Sequence, residues 1–156
     1  AQLDRFGNIN TTVIGDYREP AVRLPGGGGA PEIAASCGEI FITMRQSRRS
    51  FVEKIDFVTS MGHGKGGDDR VRHGVHSKGP TRLITDLAEW EIDPETKEFV
   101  VVSIHPNATR QDVQETVGWP VRFAEVVVGT EPPTKKELET LRGLHSRTRA
   151  IGRVRS

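Results

Sequence analysis

Four consecutive glycines, Gly26 to Gly29, sit inside the run Leu24-Pro25-Gly26-Gly27-Gly28-Gly29-Ala30-Pro31-Glu32-Ile33. Backbone entropy makes such a run unfavourable, so a folded chain keeps it only where a side chain would obstruct something. Pro31 suits the first turn of a helix, because its φ is already helical and its missing N–H would be unpaired there anyway. The run predicts a bare loop feeding a helix N-terminus, where free N–H groups and the helix dipole favour negative charge. Such a loop suits a phosphate, a carboxylate or a developing oxyanion.

The rest of the chain alternates strand and helix signals around this loop. Asp4 to Asn8 reads as a turn with Gly7-Asn8 at its tip, and Ile9 to Ile14 as a β-branched strand. Pro31 to Ser36 reads as a short helix that Gly38 terminates, with Cys37 in the core. Glu39 to Met44 and Phe51 to Val58 read as strands flanking a basic turn, Arg45 to Ser50. Met61 to Pro80 is rich in glycine, histidine and charge, which predicts an exposed loop too polar to pack. Thr81 to Thr85, Ala88 to Ile92 and Glu98 to Ile104 predict an antiparallel meander, with a turn at Asp93 to Lys97. Thr109 and Asp112 carry a helix start signal for Thr109 to Thr116. Arg122 to Val128 is a last strand, and Thr134 to Leu144 a helix with Leu138, Leu141 and Leu144 on one face. This pattern predicts one α/β layered domain over residues 1–156, with a basic tail over 142–156.

Composition narrows the function classes. A net charge of +1 gives no global field for nucleic acid or membrane. No apolar run approaches the length of a bilayer span, and the single cysteine cannot form an internal disulfide. A cytoplasmic protein is the expectation. The start at Ala1-Gln2-Leu3-Asp4 enters structured-looking sequence at once, as if in the middle of a protein.

Three segments together carry a family resemblance: Gln2-Leu3-Asp4-Arg5-Phe6-Gly7-Asn8-Ile9-Asn10, Pro25 to Ala30, and Ser103-Ile104-His105-Pro106-Asn107-Ala108-Thr109. In this order and spacing they resemble the B (β) chain of family I CoA-transferases, which include glutaconate, 3-oxoacid and 3-oxoadipate CoA-transferases. Asn107-Ala108 replaces the Gly-Val of the family's His-Pro-Gly-Val-Thr-like helix entry. The resemblance implies an open α/β sheet of the NagB/RpiA/CoA-transferase-like type, with its N-terminal part missing here. It also implies an A-subunit partner in a hetero-oligomer, and acyl-CoA and carboxylic acid substrates. No cofactor is implied, because the CoA thioester is a substrate. The implied acids are short dicarboxylic or 3-oxo acids, exchanged through a glutamyl-CoA intermediate. Gly28 and Gly29 then fall on the oxyanion and acyl-CoA side, with Gly26 and Gly27 allowing close approach. The family's nucleophilic glutamate lies N-terminal to the Gln2-Leu3-Asp4 segment, so the resemblance implies that it is not in this chain.

Other candidates have plainer readings. Glu32 at a helix start is favoured by the dipole alone, and neither it nor Glu39 is promoted to nucleophile. Asn10 is a turn former or an amide presented toward the glycine loop, as part of the substrate site. His63, His73, His76, His105 and His145 invite a metal, but no carboxylate or cysteine at ligand spacing supports one, and His105 reads as structural. Trp90 and Trp119 read as core or interface anchors. The arginines of the tail read as a solvated or subunit-contacting surface, or as contacts to CoA phosphates. Two rival functions remain: a CoA-thioester ring-opening hydrolase on the same fold, as in steroid-ring degradation, and a non-catalytic CoA-binding or assembly module. The full glycine loop favours the transferase.

Overall fold

Asn10 ends the first strand early. Its Oδ1 accepts from the N–H groups of Thr12 and Val13, and its Nδ2 donates to the Val13 carbonyl at 2.6 Å. This local turn splits the expected strand over Ile9 to Ile14 in two. In the computed structural model, which describes the backbone of residues 1–153 and side-chain surroundings through residue 149, β1 (Gln2–Leu3) pairs with β2 (Ile9–Asn10). The turn between them has Gly7 at φ +73. After the Asn10 turn, β3 (Val13–Gly15) pairs with β4 (Pro20–Arg23) in an antiparallel hairpin. Tyr17 at its tip stacks on Phe57 with ring centroids 5.4 Å apart.

α1 (Ala30–Ser36) follows the glycines, with Pro31 in its first turn as expected. Its end differs from the expectation. Cys37 caps the helix in an extended conformation, and its N–H bonds the Ile33 carbonyl. Gly38 is not among the residues at positive φ, so it does not stop the helix by a left-handed turn. Cys37 is exposed rather than core.

The main sheet has five strands in the order β5 (Ile40–Thr43), β6 (Pro80–Ile84), β7 (Ala88–Ile92), β8 (Phe99–Ile104) and β9 (Arg122–Gly129). β6 to β8 form the expected antiparallel meander, while β5 and β9 add in parallel at the two edges. Parallel neighbours require crossovers. The 61–79 segment with α2 (Asp69–Arg72) supplies one, and α3 (Arg110–Glu115) the other. The sheet is thus mixed, open and α/β.

Strand periodicity places one face of the sheet in the core. Leu83, Trp90 and Val101 lie side by side in register on β6, β7 and β8, each fully buried. Phe51 and Trp119 stack beneath them at 6.0 Å, joined by Leu3, Val113 and Val117. Both tryptophans are therefore core residues. On the other face Arg82 pairs across strands with Glu91 at 2.7 Å, and Phe41 is 59% exposed.

Two expected segments fold differently. Phe51 to Val58 makes only isolated bridges, Leu3 with Phe51 and, just beyond, Ile9 with Ser60. Scattered partners take its backbone groups instead: the Val52 N–H donates to the Leu3 carbonyl at 3.0 Å, the Phe51 carbonyl accepts from the Gly118 N–H at 2.8 Å, and the Asp56 N–H donates to Gln2 Oε1 at 2.9 Å. Met61 to Pro80 is exposed over Val71 to Gly74 as expected, but it is anchored by buried residues, His63 and Arg70 among them. Its polarity is satisfied internally, by backbone carbonyls that accept from these side chains.

α3 starts at the expected capping box, Thr109 with Asp112. α4 (Lys135–Arg153) runs further than its predicted end, from a Thr134–Glu137 pair of side-chain and backbone bonds. Leu141 and Leu144 are about half exposed on it. Of the tail arginines, Arg142, Arg147 and Arg149 are exposed on α4, whereas the side chain of Arg153, and Arg155, lie outside the described residues.

Candidate functional site

The glycine loop hangs between two anchors. At its start, the Leu24 N–H donates to the Thr12 carbonyl at 2.9 Å and the Gly26 N–H to the Thr11 carbonyl at 2.7 Å. At its end, the Ala30 N–H donates to the Gly27 carbonyl and the Ile33 N–H to the Gly29 carbonyl. Between these anchors the N–H groups of Gly27, Gly28 and Gly29 meet no acceptor among the described residues.

Each glycine has its own reason. Gly26 and Gly28 stand at φ +93 and +51, where a Cβ is strained. Gly27 is a close approach: a Cβ there would come 2.9 Å from Pro31 Cγ and 3.0 Å from Thr59 Cγ2. Gly28 and Gly29 face open space, with nothing within 4 Å of a built Cβ, and both are exposed. Backbone N–H groups on an accessible surface with no competing side chain form a donor set that any oxyanion can reach. α1 has seven residues, so its dipole adds little and the donors themselves carry the argument.

Thr59 supports the loop from below, a role the sequence did not reveal. Its Oγ1 accepts from the Thr11 N–H at 2.9 Å and bonds Thr12 Oγ1 at 2.6 Å, while its methyl packs under Gly27. A lone threonine in an irregular segment gives no sequence signal for this role.

Asn10 lies behind the loop rather than on its surface. It is fully buried, and its Nδ2 is taken by Gln2 Oε1 and the Val13 carbonyl. The turn-forming reading describes this geometry. Asn10 shapes the Thr11–Thr12 turn whose carbonyls hold Gly26 and Leu24, and its amide is occupied.

No other candidate side chain bonds an N–H group of the loop among the described residues. Glu32 is exposed in the first turn of α1. Glu39, beyond the helix's far end, accepts from Thr81 Oγ1 at 2.7 Å. His105 is held by Thr130 Oγ1 at 2.8 Å and the Thr85 carbonyl at 3.0 Å, at the corner entering α3. His63 is buried, and its Nε2 bonds the Pro80 carbonyl at 2.7 Å. Burial pushes its imidazole below the usual histidine range, with Arg70 and Lys97 adding to the effect against the Pro80 bond. No group of three or more metal-ligating side chains comes together among the described residues. No helix among them is long and apolar enough to cross a membrane.

The Asp4–Asn8 turn lines a separate cleft of about 560 Å³, with Phe6, Ile55, Met61 and Lys65. Asp4 is bound there by the N–H groups of Phe6 and Asn8 and by Asn8 Nδ2, while burial holds its carboxyl above the usual value. None of the four glycines lines this cleft.

Comparison with known proteins places this loop in a family. The sequence profile of the family described as Coenzyme A transferase matches residues 1–116. The chain is 57% identical over 150 residues to the B (β) chain of 3-oxoadipate CoA-transferase from Pseudomonas knackmussii, covering 96% of this chain and 58% of that protein. It is 38% identical over 128 residues to the B (β) chain of glutaconate CoA-transferase from Acidaminococcus fermentans, covering 81% of this chain and 48% of that one. The crystal structure of glutaconate coenzyme A-transferase from the same organism superposes with a TM-score of 0.85 at 35% identity, over 91% of this chain and 54% of that one. The chain thus spans about half the length of the curated relatives it matches. On sequence and fold alike, this chain belongs to the coenzyme A transferase family.

Proposed function

We propose that this chain is part of the β subunit of a two-subunit CoA-transferase, and that its glycine loop stabilises the oxyanions of CoA transfer. The observation that carries this reading is the set of N–H groups at Gly27, Gly28 and Gly29 with no acceptor among the described residues, on a chain 57% identical to the β subunit of a 3-oxoadipate CoA-transferase. Both relatives are named as one subunit of their enzymes, which supports an α-subunit partner in a hetero-oligomer; the cytoplasm is the compartment we propose for it.

The chemistry explains why such a loop is needed. A glutamate carboxylate, supplied from outside residues 1–156, attacks the thioester carbonyl of the donor. The tetrahedral oxyanion collapses, CoA thiolate leaves, and an acyl-glutamyl anhydride remains. The thiolate then attacks the glutamyl carbonyl, releasing the donor acid and leaving a glutamyl-CoA thioester. The acceptor acid reverses both steps. A carboxylate is a weak nucleophile toward a thioester, so each oxyanion needs donors already in place. Gly28 and Gly29 leave their N–H groups without a protein acceptor and would carry a Cβ only into open space. Gly26 leaves room for the acyl group to approach the backbone, and Gly27, whose Cβ would meet Pro31 and Thr59, seats the loop instead. Asn10 contributes by holding the turn behind the loop. No cofactor is called on, since the CoA thioester enters as substrate.

The substrate pair we propose is a short dicarboxylic or 3-oxo acid, with 3-oxoadipate first because that relative shares the greater identity. The test is steady-state kinetics of the full complex, varying acyl-CoA donor and acceptor acid. A ping-pong transferase gives parallel double-reciprocal lines, with 3-oxoadipate preferred over glutaconate. Hydrolysis of a cyclic CoA thioester without an acceptor would favour the ring-opening hydrolase. CoA binding with no turnover would favour the assembly module.

A further inference from the structure

Arg70 is 3% exposed, and no carboxylate among the described residues lies within ion-pair distance of it. A buried guanidinium without a counter-ion is costly unless every donor is used. Here backbone carbonyls use them. Nε donates to the Ser77 carbonyl at 3.0 Å, and Nη1 to the carbonyls of Met61 and Gly62 at 2.9 and 2.8 Å. Nη2 donates to Ser77 Oγ at 2.7 Å and to the Ala34 carbonyl.

The last of these bonds reaches the far end of α1. The final carbonyls of a helix have no partner within it. Arg70 takes that of Ala34, and Ser77 Oγ donates to that of Ala35 at 3.0 Å. Apart from this tie the helix is loosely held, since Ala34 is its only buried residue. Its opposite end is the glycine loop, continuous with it through the Ile33 N–H bond to the Gly29 carbonyl. A planar fork with five donors fits this set of carbonyls, and an ammonium with three does not.

We infer that Arg70 is a second positioning residue of the glycine loop, fixing its α1 side through the C-terminal carbonyls of that helix, while the Asn10 turn holds its other side. This rests on the transferase reading for its catalytic consequence, but the placement of the loop can be measured without turnover. A displacement of about 1 Å in a preorganised site suffices to cost of the order of a hundredfold in rate.

The experiment uses the full complex with Arg70→Met, Arg70→Lys and Ser77→Ala. Amide hydrogen exchange is followed in peptides spanning 24–36 and 88–104, alongside kcat and KM for the acyl-CoA donor. The inference predicts faster exchange, by about tenfold or more, confined to 24–36, with a matching fall in kcat and KM within about twofold. Arg70→Lys gives no rescue, and Ser77→Ala falls between wild type and Arg70→Met. Unchanged exchange at 24–36, exchange raised equally at 88–104, or an unchanged kcat in Arg70→Met would each overturn it. If wild-type complex transfers no CoA, the function reading fails on its own, and the exchange pattern still decides the role of Arg70.

Discussion

The Gly26 N–H donates to the Thr11 carbonyl at 2.7 Å, and this bond joins the glycine loop to the turn that Asn10 shapes. The loop's free donors therefore inherit their position from a buried amide one residue before that anchoring carbonyl. Because the anchoring is backbone to backbone, it survives changes on the loop's open side and fails with changes beneath it.

Gly27 and Gly29 should separate these two sides. Gly27→Ala drives a Cβ against Pro31 and Thr59, so it should destabilise the fold by about 1–3 kcal/mol and lower Tm. A Cβ at Gly29 meets no protein atom within 4 Å and φ there is an ordinary −86, so Gly29→Val should keep a Tm close to that of wild type. Its side chain nevertheless enters the space assigned to the reacting acyl group, and kcat should fall by at least about tenfold. Thermal melts and steady-state kinetics on the same preparations check the pair.

Asn10→Ala leaves the Thr12 N–H and the buried Val13 carbonyl without this partner and removes one of the two bonds to Gln2 Oε1. A loss of about 2–3 kcal/mol is expected from denaturant titration. Asn10→Asp keeps the acceptor and loses the donor, so it should be destabilised as well.

His63 gives the fold an acid-sensitive point. Burial holds its pKa below the usual 6.5, so the unfolded chain binds a proton there that the folded chain resists. The stabilisation is complete above about pH 6.5 and is lost as pH falls through that value toward the depressed folded pKa. His63→Gln can keep a bond to the Pro80 carbonyl without titrating. Between about pH 7.5 and pH 5.5, wild-type Tm should drop more than that of His63→Gln. Asp4 acts in a different window: burial raises its pKa above 3.8, so its penalty eases as pH falls toward that value.

Much of this architecture was legible in the sequence because the deciding signals were local. The β6–β8 meander follows from period-two alternation, and the Thr109–Asp112 box marks the start of α3 without tertiary help. The glycine loop was legible for the same reason, since a steric demand on the backbone is written in the residues that meet it. The misses share an opposite cause. Asp68-Asp69-Arg70-Val71-Arg72 looks like a solvated charge run, yet Arg70 is buried because carbonyls from three separate stretches converge on it. Phe51 to Val58 alternates like a strand, but its backbone is claimed by Gln2 and other partners distant in sequence. Asn10 was legible as a turn former, and only its burial shows that its amide is spent.

Covalent capture of CoA by the full complex tests the central claim most directly. Wild-type complex is incubated with acyl-CoA donor, with and without acceptor acid, then treated with borohydride and analysed by intact-protein and peptide mass spectrometry. The account predicts a donor-dependent CoA adduct on one glutamate outside residues 1–156. Borohydride should reduce it, acceptor acid should discharge it, and Gly29→Val should form it more slowly. Turnover of the thioester with no adduct, or an adduct formed at the wild-type rate in Gly29→Val, would contradict it.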